Sequence, residues 1–153
     1  MEILETFSTN HETQSDYQLT SQQAKEQMRF FRNVFTVVRL LKGEDLEGIR
    51  ESAKINTALL DYISENIREG MSTEEIDVLV YDFTTSHGAI PAPLNYEGFP
   101  KSVCTSINDV VCHGIPSKTE ILQSGDIINV DVSTIYNGYF SDSSRMFCIG
   151  EVS

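Results

Sequence analysis

The sequence contains no tryptophan, only three cysteines, and far fewer basic than acidic residues. The cysteines are odd in number and scattered, at Cys104, Cys112 and Cys148, so they do not form the disulfide framework of a small secreted domain. Eleven Lys and Arg against 23 Asp and Glu give a formal charge of -12, which repels nucleic acid and anionic membranes. The composition therefore argues against both of these binding partners.

Long apolar runs are also absent. No stretch approaches the ~18 apolar residues that a membrane-spanning helix needs. The start, Met1 to Glu5, is acidic and lacks the basic and apolar regions of a secretory signal. With 153 residues the chain is long enough for one domain with a real core. We therefore expect a reduced, cytoplasmic protein.

Residues 1–41 differ in composition from the rest of the chain. Up to about residue 27 they are rich in Gln, Ser, Thr and Glu and show no apolar period, which predicts a partly disordered polar extension. An aromatic and aliphatic run from Phe30 to Leu41 follows, interrupted by Arg32 and Arg39. This run is too short and too charged for a membrane helix, and it favours an apolar helical segment that docks on a surface.

Two amphipathic helices are predicted next. Apolar residues recur at steps of three and four from Leu46 to Ile67, and Gly70 stands where a C-terminal cap is expected. Ser72 and Glu75 have the spacing of a capping box, which predicts the start of a second helix. Gly88 is expected to end that helix.

The chain becomes strand-like after Pro93. Asn108-Asp109 and Asn137-Gly138 are turn signals, of which Asn-Gly is the stronger. Helices followed by antiparallel strands predict an α+β domain. The expected strands are Ser102–Ile107, Val110–His113, Asp126–Tyr136 and Tyr139–Ile149.

The Asn137-Gly138 turn has a consequence for two aspartates. If it is a two-residue hairpin turn, Asp131 lies opposite Ser144 and Asp142 lies opposite Ser133. Asp131 and Asp142 are then diagonal neighbours on one face, with backbones roughly 7–8 Å apart. Such a pair can share divalent ions, although the solvated face of an ordinary hairpin has the same pattern. Spacing alone leaves both interpretations open.

Three blocks of sequence, in order, carry a family resemblance. They are Asn95–Pro116, which ends in Cys-His-Gly-Ile-Pro, then Gly125–Val132 and Gly138–Phe147. Together they resemble the motifs of type I methionine aminopeptidases, and the similarity extends from about Leu46 to Gly150. A lone histidine at a strand end is more often structural, but here His113 lies within a long and specific motif.

The resemblance implies a fold and a metal site. Residues 42–153 would be the N-terminal half of a catalytic domain with the pita-bread fold, in which two α+β halves enclose a dinuclear site. Asp131 resembles the bidentate ligand of one metal, and Asp142 the aspartate that bridges both. His113 resembles the catalytic histidine that contacts the substrate and stabilises the tetrahedral intermediate.

The resemblance also implies a substrate pocket and a second ion. Tyr96, Phe99 and Cys104 match positions that line the methionine side-chain pocket. Asn108 and Val110 match backbone-carbonyl positions of a monovalent-cation site. If Asn108-Asp109 is a hairpin turn, Cys104 would pair with His113, placing a pocket residue beside a catalytic one.

The implied activity is that of a metalloprotease that performs N-terminal methionine excision. A hydroxide bridging two divalent ions, of the Co, Mn, Fe, Zn or Ni class, attacks the first peptide bond while a glutamate acts as general base. The implied partners are the N-terminal methionyl peptides of nascent proteins and, by family analogy, the ribosome.

The sequence departs from the family pattern at its end. The family's second half, with one histidine and two glutamates of the site, is not found before Ser153. We therefore expect the chain to be incomplete and inactive alone: a truncated or split gene product, a fragment of a complete enzyme, or a half that pairs with another chain. The alternative function is a non-catalytic pita-bread module that binds peptides or proteins. A proline-directed peptidase is disfavoured by the block Cys112–Pro116.

Overall fold

The computed structural model describes residues 41–152, so the polar extension and most of the apolar segment predicted after it lie outside the described residues. None of the helices in this range is long and apolar enough to cross a membrane. Two helices precede an antiparallel sheet, which confirms the α+β class. The elements are helices α1 (Glu44–Asn66) and α2 (Thr73–Ser86) and strands β1 (Ile90–Pro91), β2 (Cys104–Ile107), β3 (Ile127–Tyr136) and β4 (Tyr139–Cys148).

Strand β3 is the centre of the sheet. Strand β4 pairs with it along its whole length, while β2 and β1 share its other edge. The Asn137-Gly138 turn joins β3 to β4 with both residues at positive φ, 50° and 82°, as a type I′ turn requires. Asp131 lies opposite Ser144. The register predicted for this hairpin is confirmed.

The helix ends follow the sequence signals in part. Ser72 and Glu75 form the predicted capping box at the start of α2, and Gly88, at φ 70°, follows its last turn. The predicted cap at Gly70 is wrong. Helix α1 already ends at Asn66, because Ile67 turns to an extended conformation while its N–H still donates to Ile63.

The core lies between the helices and one face of the sheet. Side chains alternate along β3, so one set points to the helices and the other to the open face. The residues pointing inward, Ile128, Val130 and Val132, are fully buried. They pack in one cluster with α1 and α2 side chains that include Leu59, Ile63, Ile76 and Val80. The odd-numbered residues, among them Asp131, are left on the open face.

The predicted strand Val110–His113 is absent, and the predicted pairing of Cys104 with His113 is wrong. Strand β2 pairs instead with β3, which places Cys104 opposite Asp131. The positive φ of 54° at His113 bends the returning segment out of strand geometry. Two hydrogen bonds tie this segment to β2: the Thr105 N–H donates to the Gly114 carbonyl at 2.9 Å, and the Gly114 N–H donates to the Ser106 hydroxyl at 3.3 Å.

Candidate metal and substrate site

The two aspartates singled out from the sequence lie on the open face of the β3–β4 hairpin. Asp131 is opposite Ser144 and Asp142 is opposite Ser133, so the two carboxylates are diagonal neighbours. Asp131 is partly buried and Asp142 is exposed. The hairpin alone therefore brings two carboxylates into one place.

The surroundings of these carboxylates supply little positive charge. The pKa of Asp131 is raised, mainly by burial and then by the charge of Asp142, while His113 opposes the shift. The ion pairs of the described residues include neither aspartate. Two like charges held together without a cation form a site that a divalent ion would stabilise.

Ser133 orients one of the carboxylates. Its hydroxyl donates a hydrogen bond of 2.6 Å to Oδ1 of Asp142 across the hairpin. Sequence reasoning placed Ser133 opposite Asp142 and gave it no function. The alternation of polar residues along β3 was the available signal, because it assigns Ser133 to the same face as Asp131.

A cavity of about 860 Å³ opens over the carboxylates. It brings together six of the eight residues named from the sequence; Asn108 and Val110 are outside it. Phe140 and Ile115 also line it, and the position of Phe140 on the Asp142 face could have been read from strand alternation. The predicted residues in its lining are Tyr96, Phe99, Cys104, His113, Asp131 and Asp142.

Tyr96 and Phe99 reach the cavity from an irregular loop. A 3-10 turn, Tyr96–Gly98, begins at Tyr96 and is followed directly by Phe99, and Asn95 and Glu97 adopt positive φ values of 66° and 48°. The Asn95 N–H donates to the Phe99 carbonyl at 2.8 Å and closes the loop. Both aromatic rings are thereby placed on one rim of the cavity.

The end of this loop is anchored to helix α2. Lys101 forms ion pairs with Glu74 and with Asp77, the latter at 3.5 Å, and these bonds raise the pKa of Lys101. The Ser102 N–H donates to Asp77 at 2.6 Å. Sequence reasoning missed this anchor, since nothing in the spacing of these residues along the chain indicates their contact.

His113 is held in an unusual backbone conformation. It has a φ of 54°, which costs free energy for a non-glycine residue and often marks a functional position. The next residue must be glycine, because a Cβ at Gly114 would lie 1.9 Å from the Thr105 carbonyl oxygen. The close contact with β2 therefore fixes the segment that carries the imidazole.

Cys104 contributes a neutral wall to the cavity. Burial, followed by the charge of Asp131, raises the pKa of its thiol to about 11. Cys104 is a free cysteine, and at neutral pH it is protonated. A protonated, partly buried thiol behaves as a small hydrophobic group, which suits an apolar pocket.

Asn108 and Val110 lie at the far end of β2. Asn108 has a φ of 51°, and its side chain links the turn to β3 by accepting from the Ile127 N–H at 3.1 Å and donating to Asp126 at 2.8 Å. The Val110 N–H donates to Ile107 at 3.0 Å. These contacts define a tight turn, and its cation-binding role stays a prediction.

The donor set fits part of a divalent metal site. Carboxylate oxygens are suitable ligands for such ions, and Asp131 and Asp142 face the same cavity. Within residues 41–152 no group of three or more His, Cys, Asp or Glu side chains is arranged to hold a metal ion. The described residues thus supply two ligands and leave the rest to other groups.

Comparison with known proteins identifies the family. The model of metallopeptidase family M24 matches residues 47–153, which is most of the chain. The chain belongs to this family. Its members are metallopeptidases by name, which agrees with the paired carboxylates of the hairpin.

Several similar proteins and solved structures are methionine aminopeptidases. Methionine aminopeptidase A of Synechocystis is 47% identical over 116 residues, covering 76% of this chain and 46% of the relative. The crystal structure of methionine aminopeptidase from Rickettsia prowazekii superimposes with a TM-score of 0.74 at 44% identity, covering 76% of this chain and 47% of that one. The enzyme from Thermotoga maritima superimposes equally well, with a TM-score of 0.74 at 26% identity.

These matches show the fold of the chain and how much of each relative's length the chain covers. They confirm the predicted half of a pita-bread fold. The chain spans about half the length of the relatives it matches. The activity of a whole methionine aminopeptidase is therefore a proposal for this chain.

Proposed function

We propose that this chain is part of a cytoplasmic methionyl aminopeptidase, which removes the N-terminal methionine from newly made proteins. One observation carries the proposal: Asp131 and Asp142 share the floor of a cavity whose wall is apolar and whose rim holds His113. Family membership and the names of the relatives support the same reaction class.

The two carboxylates would hold two divalent ions, with Asp131 binding one of them and Asp142 bridging both. When bound, such ions supply a hydroxide nucleophile near neutral pH and polarise the scissile carbonyl. Their identity is left within the Co, Mn, Fe, Zn and Ni class. Two carboxylates alone hold such ions weakly, because affinity rises with the number of ligands and with histidine.

The cavity wall would select the methionine side chain. Tyr96, Phe99 and the protonated Cys104 offer aromatic and thiol surface without charge. A flexible, polarisable thioether gains from contact with such surface, especially with ring edges. The positively charged α-amino group of the substrate would lie towards the carboxylates of Asp131 and Asp142.

His113 would act on the reacting carbonyl. It is exposed on the rim of the cavity that holds both carboxylates. An imidazole N–H aimed at the developing oxyanion stabilises a tetrahedral intermediate. Its strained backbone fixes the direction from which it donates.

The general base would come from outside the described residues, as would the missing histidine and glutamate ligands. By the same resemblance, the Asn108 and Val110 carbonyls would bind a monovalent cation, and the complete enzyme would meet nascent chains at the ribosome. The 153-residue chain alone is then expected to bind metal weakly and to leave methionyl peptides uncleaved.

A calorimetric titration with Mn²⁺ or Co²⁺ tests the proposal. Weak binding should be lost in Asp131→Ala and in Asp142→Ala, and retained in Asp109→Ala, which removes an exposed turn carboxylate. Binding that survives Asp131→Ala would contradict the proposed site. Peptide binding without any metal binding would favour the non-catalytic module.

A peptide cleavage assay distinguishes the activity of this chain alone from that of the whole enzyme. A Met-Ala-Ser peptide should stay intact with the purified chain and be cleaved when a second half bearing the missing histidine and glutamates is supplied. Cleavage by the chain alone that Asp142→Ala abolishes would show that the described residues already form a complete site.

A further inference from the structure

Two polar side chains interrupt the apolar face of helix α1. Ser52 and Asn56 are one helical turn apart and are 0% and 1% exposed. They precede the apolar core residues Leu59, Leu60 and Ile63 on the same helix. Burying a hydroxyl and an amide costs free energy unless both are hydrogen-bonded. The hydrogen-bond partners of Ser52 and Asn56 therefore indicate the structural role of these two side chains.

The bonds of Asn56 end on both strands of the hairpin. Its Nδ2 donates to the Val132 carbonyl at 2.8 Å and to the Thr134 hydroxyl at 3.1 Å. Its Oδ1 accepts a hydrogen bond from the Ser143 hydroxyl. Val132 and Ser143 face each other across the hairpin. One buried amide on helix α1 therefore links β3 to β4 on the core face of the sheet.

Ser52 makes the corresponding link one turn earlier in the helix. Its hydroxyl donates to the Thr134 carbonyl at 3.1 Å and shares a hydrogen bond of 2.8 Å with the Ser141 hydroxyl. Thr134 and Ser141 also face each other across the hairpin. The two helix residues thus hold two consecutive same-face pairs of the sheet.

The pair enclosed by these links is Ser133 and Asp142. Because side chains alternate, Ser141 and Ser143 point to the helix while Asp142 between them points to the open face. Ser133 lies in the same way between Val132 and Thr134. Helix α1 therefore forms hydrogen bonds with the residues on both sides of Asp142 in β4 and on both sides of Ser133 in β3.

We propose that Asn56, together with Ser52, is a positioning residue for the Asp142 carboxylate, acting through Ser143 and Ser141. The network resists displacement of the Asp142 backbone when its side chain is next to the like charge of Asp131. An apolar residue at position 56 could fill the space, but it could not bond both strands. The metal-binding part of this inference rests on the proposed function, whereas the positioning part concerns the metal-free hairpin.

The test compares Asn56→Ala, Ser143→Ala and a control in the purified chain. Thr73→Val is the matched control, since it removes a buried hydroxyl that accepts from the Ser117 N–H at 2.8 Å and does not line the cavity. Ser143→Ala removes only a hydroxyl and decides the question if Asn56→Ala fails to fold.

Mn²⁺ affinity is measured by paramagnetic broadening of the Ser133 and Asp142 amides. We expect Asn56→Ala and Ser143→Ala to bind Mn²⁺ about tenfold more weakly than the parent, as happens when groups that orient metal ligands are removed. Thr73→Val should bind Mn²⁺ as the parent does. The inference would be overturned if Asn56→Ala and Ser143→Ala bound Mn²⁺ as tightly as the parent, or if Thr73→Val lost as much Mn²⁺ affinity as they do.

Amide exchange in the metal-free chain separates this inference from the proposed function. In Asn56→Ala and Ser143→Ala the amides of residues 141 and 143, which pair with Thr134 and Val132, should exchange about tenfold faster relative to the rest of β4. If the parent binds no Mn²⁺, the proposed metal site fails and the exchange rates decide the positioning role. Uniform acceleration along β4 would refute it.

Discussion

Ser133 and Asp142 face each other across the β3–β4 hairpin, and the Ser133 hydroxyl donates a 2.6 Å hydrogen bond to the Asp142 carboxylate. The neighbouring pair, Asp131 and Ser144, has the same arrangement of residue types in the opposite order. Among the hydrogen bonds of the described residues, only the first pair is joined through side chains. This asymmetry gives the two serines different expected roles.

Ser133→Ala should weaken Mn²⁺ binding by about tenfold, because the Asp142 carboxylate loses the group that orients it. Ser144→Ala is the matched control, since it removes a hydroxyl from the same face and strand pair. The measurement is the calorimetric titration of both variants. Tighter binding in Ser133→Ala would instead mean that the hydroxyl competes with the ion for Asp142.

Asp131→Asn should stabilise the metal-free chain at neutral pH. Burial and Asp142 raise the pKa of Asp131 in the folded state, so its ionised form costs stability above that pKa, and the cost disappears as the pH falls through it. The gain should be up to about 1 kcal/mol, since the group is partly solvated. It should vanish at low pH.

Urea unfolding in the presence of a chelator, from pH 7 down to about pH 4, measures this gain. Asp109→Asn corrects for the general effect of removing one negative charge from a chain of charge -12. A stability difference that grows as the pH falls would have the wrong sign and would refute the argument.

Gly114→Ala should cost about 1–3 kcal/mol, as overpacking does, and should move His113. The new Cβ would meet the Thr105 carbonyl oxygen at 1.9 Å, so the segment must separate from β2. Thermal unfolding gives the cost, and the NMR signals of the His113 ring report the movement. Gly88→Ala, at a φ of 70° with no atom within 4 Å, should lose stability and leave those signals unchanged.

Cys104 should react with iodoacetamide much more slowly than an ordinary thiol. Its pKa is raised from 9.0 to about 11, which lowers the thiolate fraction at pH 8 about a hundredfold. The rate should rise with pH until the pH approaches that pKa. Mass spectrometry of alkylated peptides measures it, with the exposed Cys112 and Cys148 as internal references. Labelling of Cys104 as fast as of these two would contradict a buried, neutral thiol.

Local signals predicted what they control directly. Asn137-Gly138 set the register of the hairpin, and through it the common face of Asp131 and Asp142. The capping box at Ser72 set the start of α2. These features depend on neighbouring residues, and neighbouring residues are visible in a sequence.

Contacts between distant segments were not predictable in this way. The returning segment at His113 was expected to pair with β2 as a strand. It contacts β2 near Gly114, on the edge that β3 leaves open, and its path depends on how the whole sheet packs. Likewise, Asn56 reaches Ser143 and Lys101 reaches Asp77 only after the helices dock. No periodicity in the sequence predicts these side-chain contacts.

The Asn137-Gly138 hairpin also has a kinetic consequence. Its first pair, Tyr136 and Tyr139, closes a loop of two residues, whereas β1 and β2 join β3 across long intervening segments. Short loops close with the smallest loss of chain entropy, and hairpins form in about 1–10 μs. We therefore expect the two carboxylates to meet early in folding, before the cavity around them exists. Substitutions in the turn should slow folding, and substitutions in β1 should mainly speed unfolding, which φ-value analysis can measure.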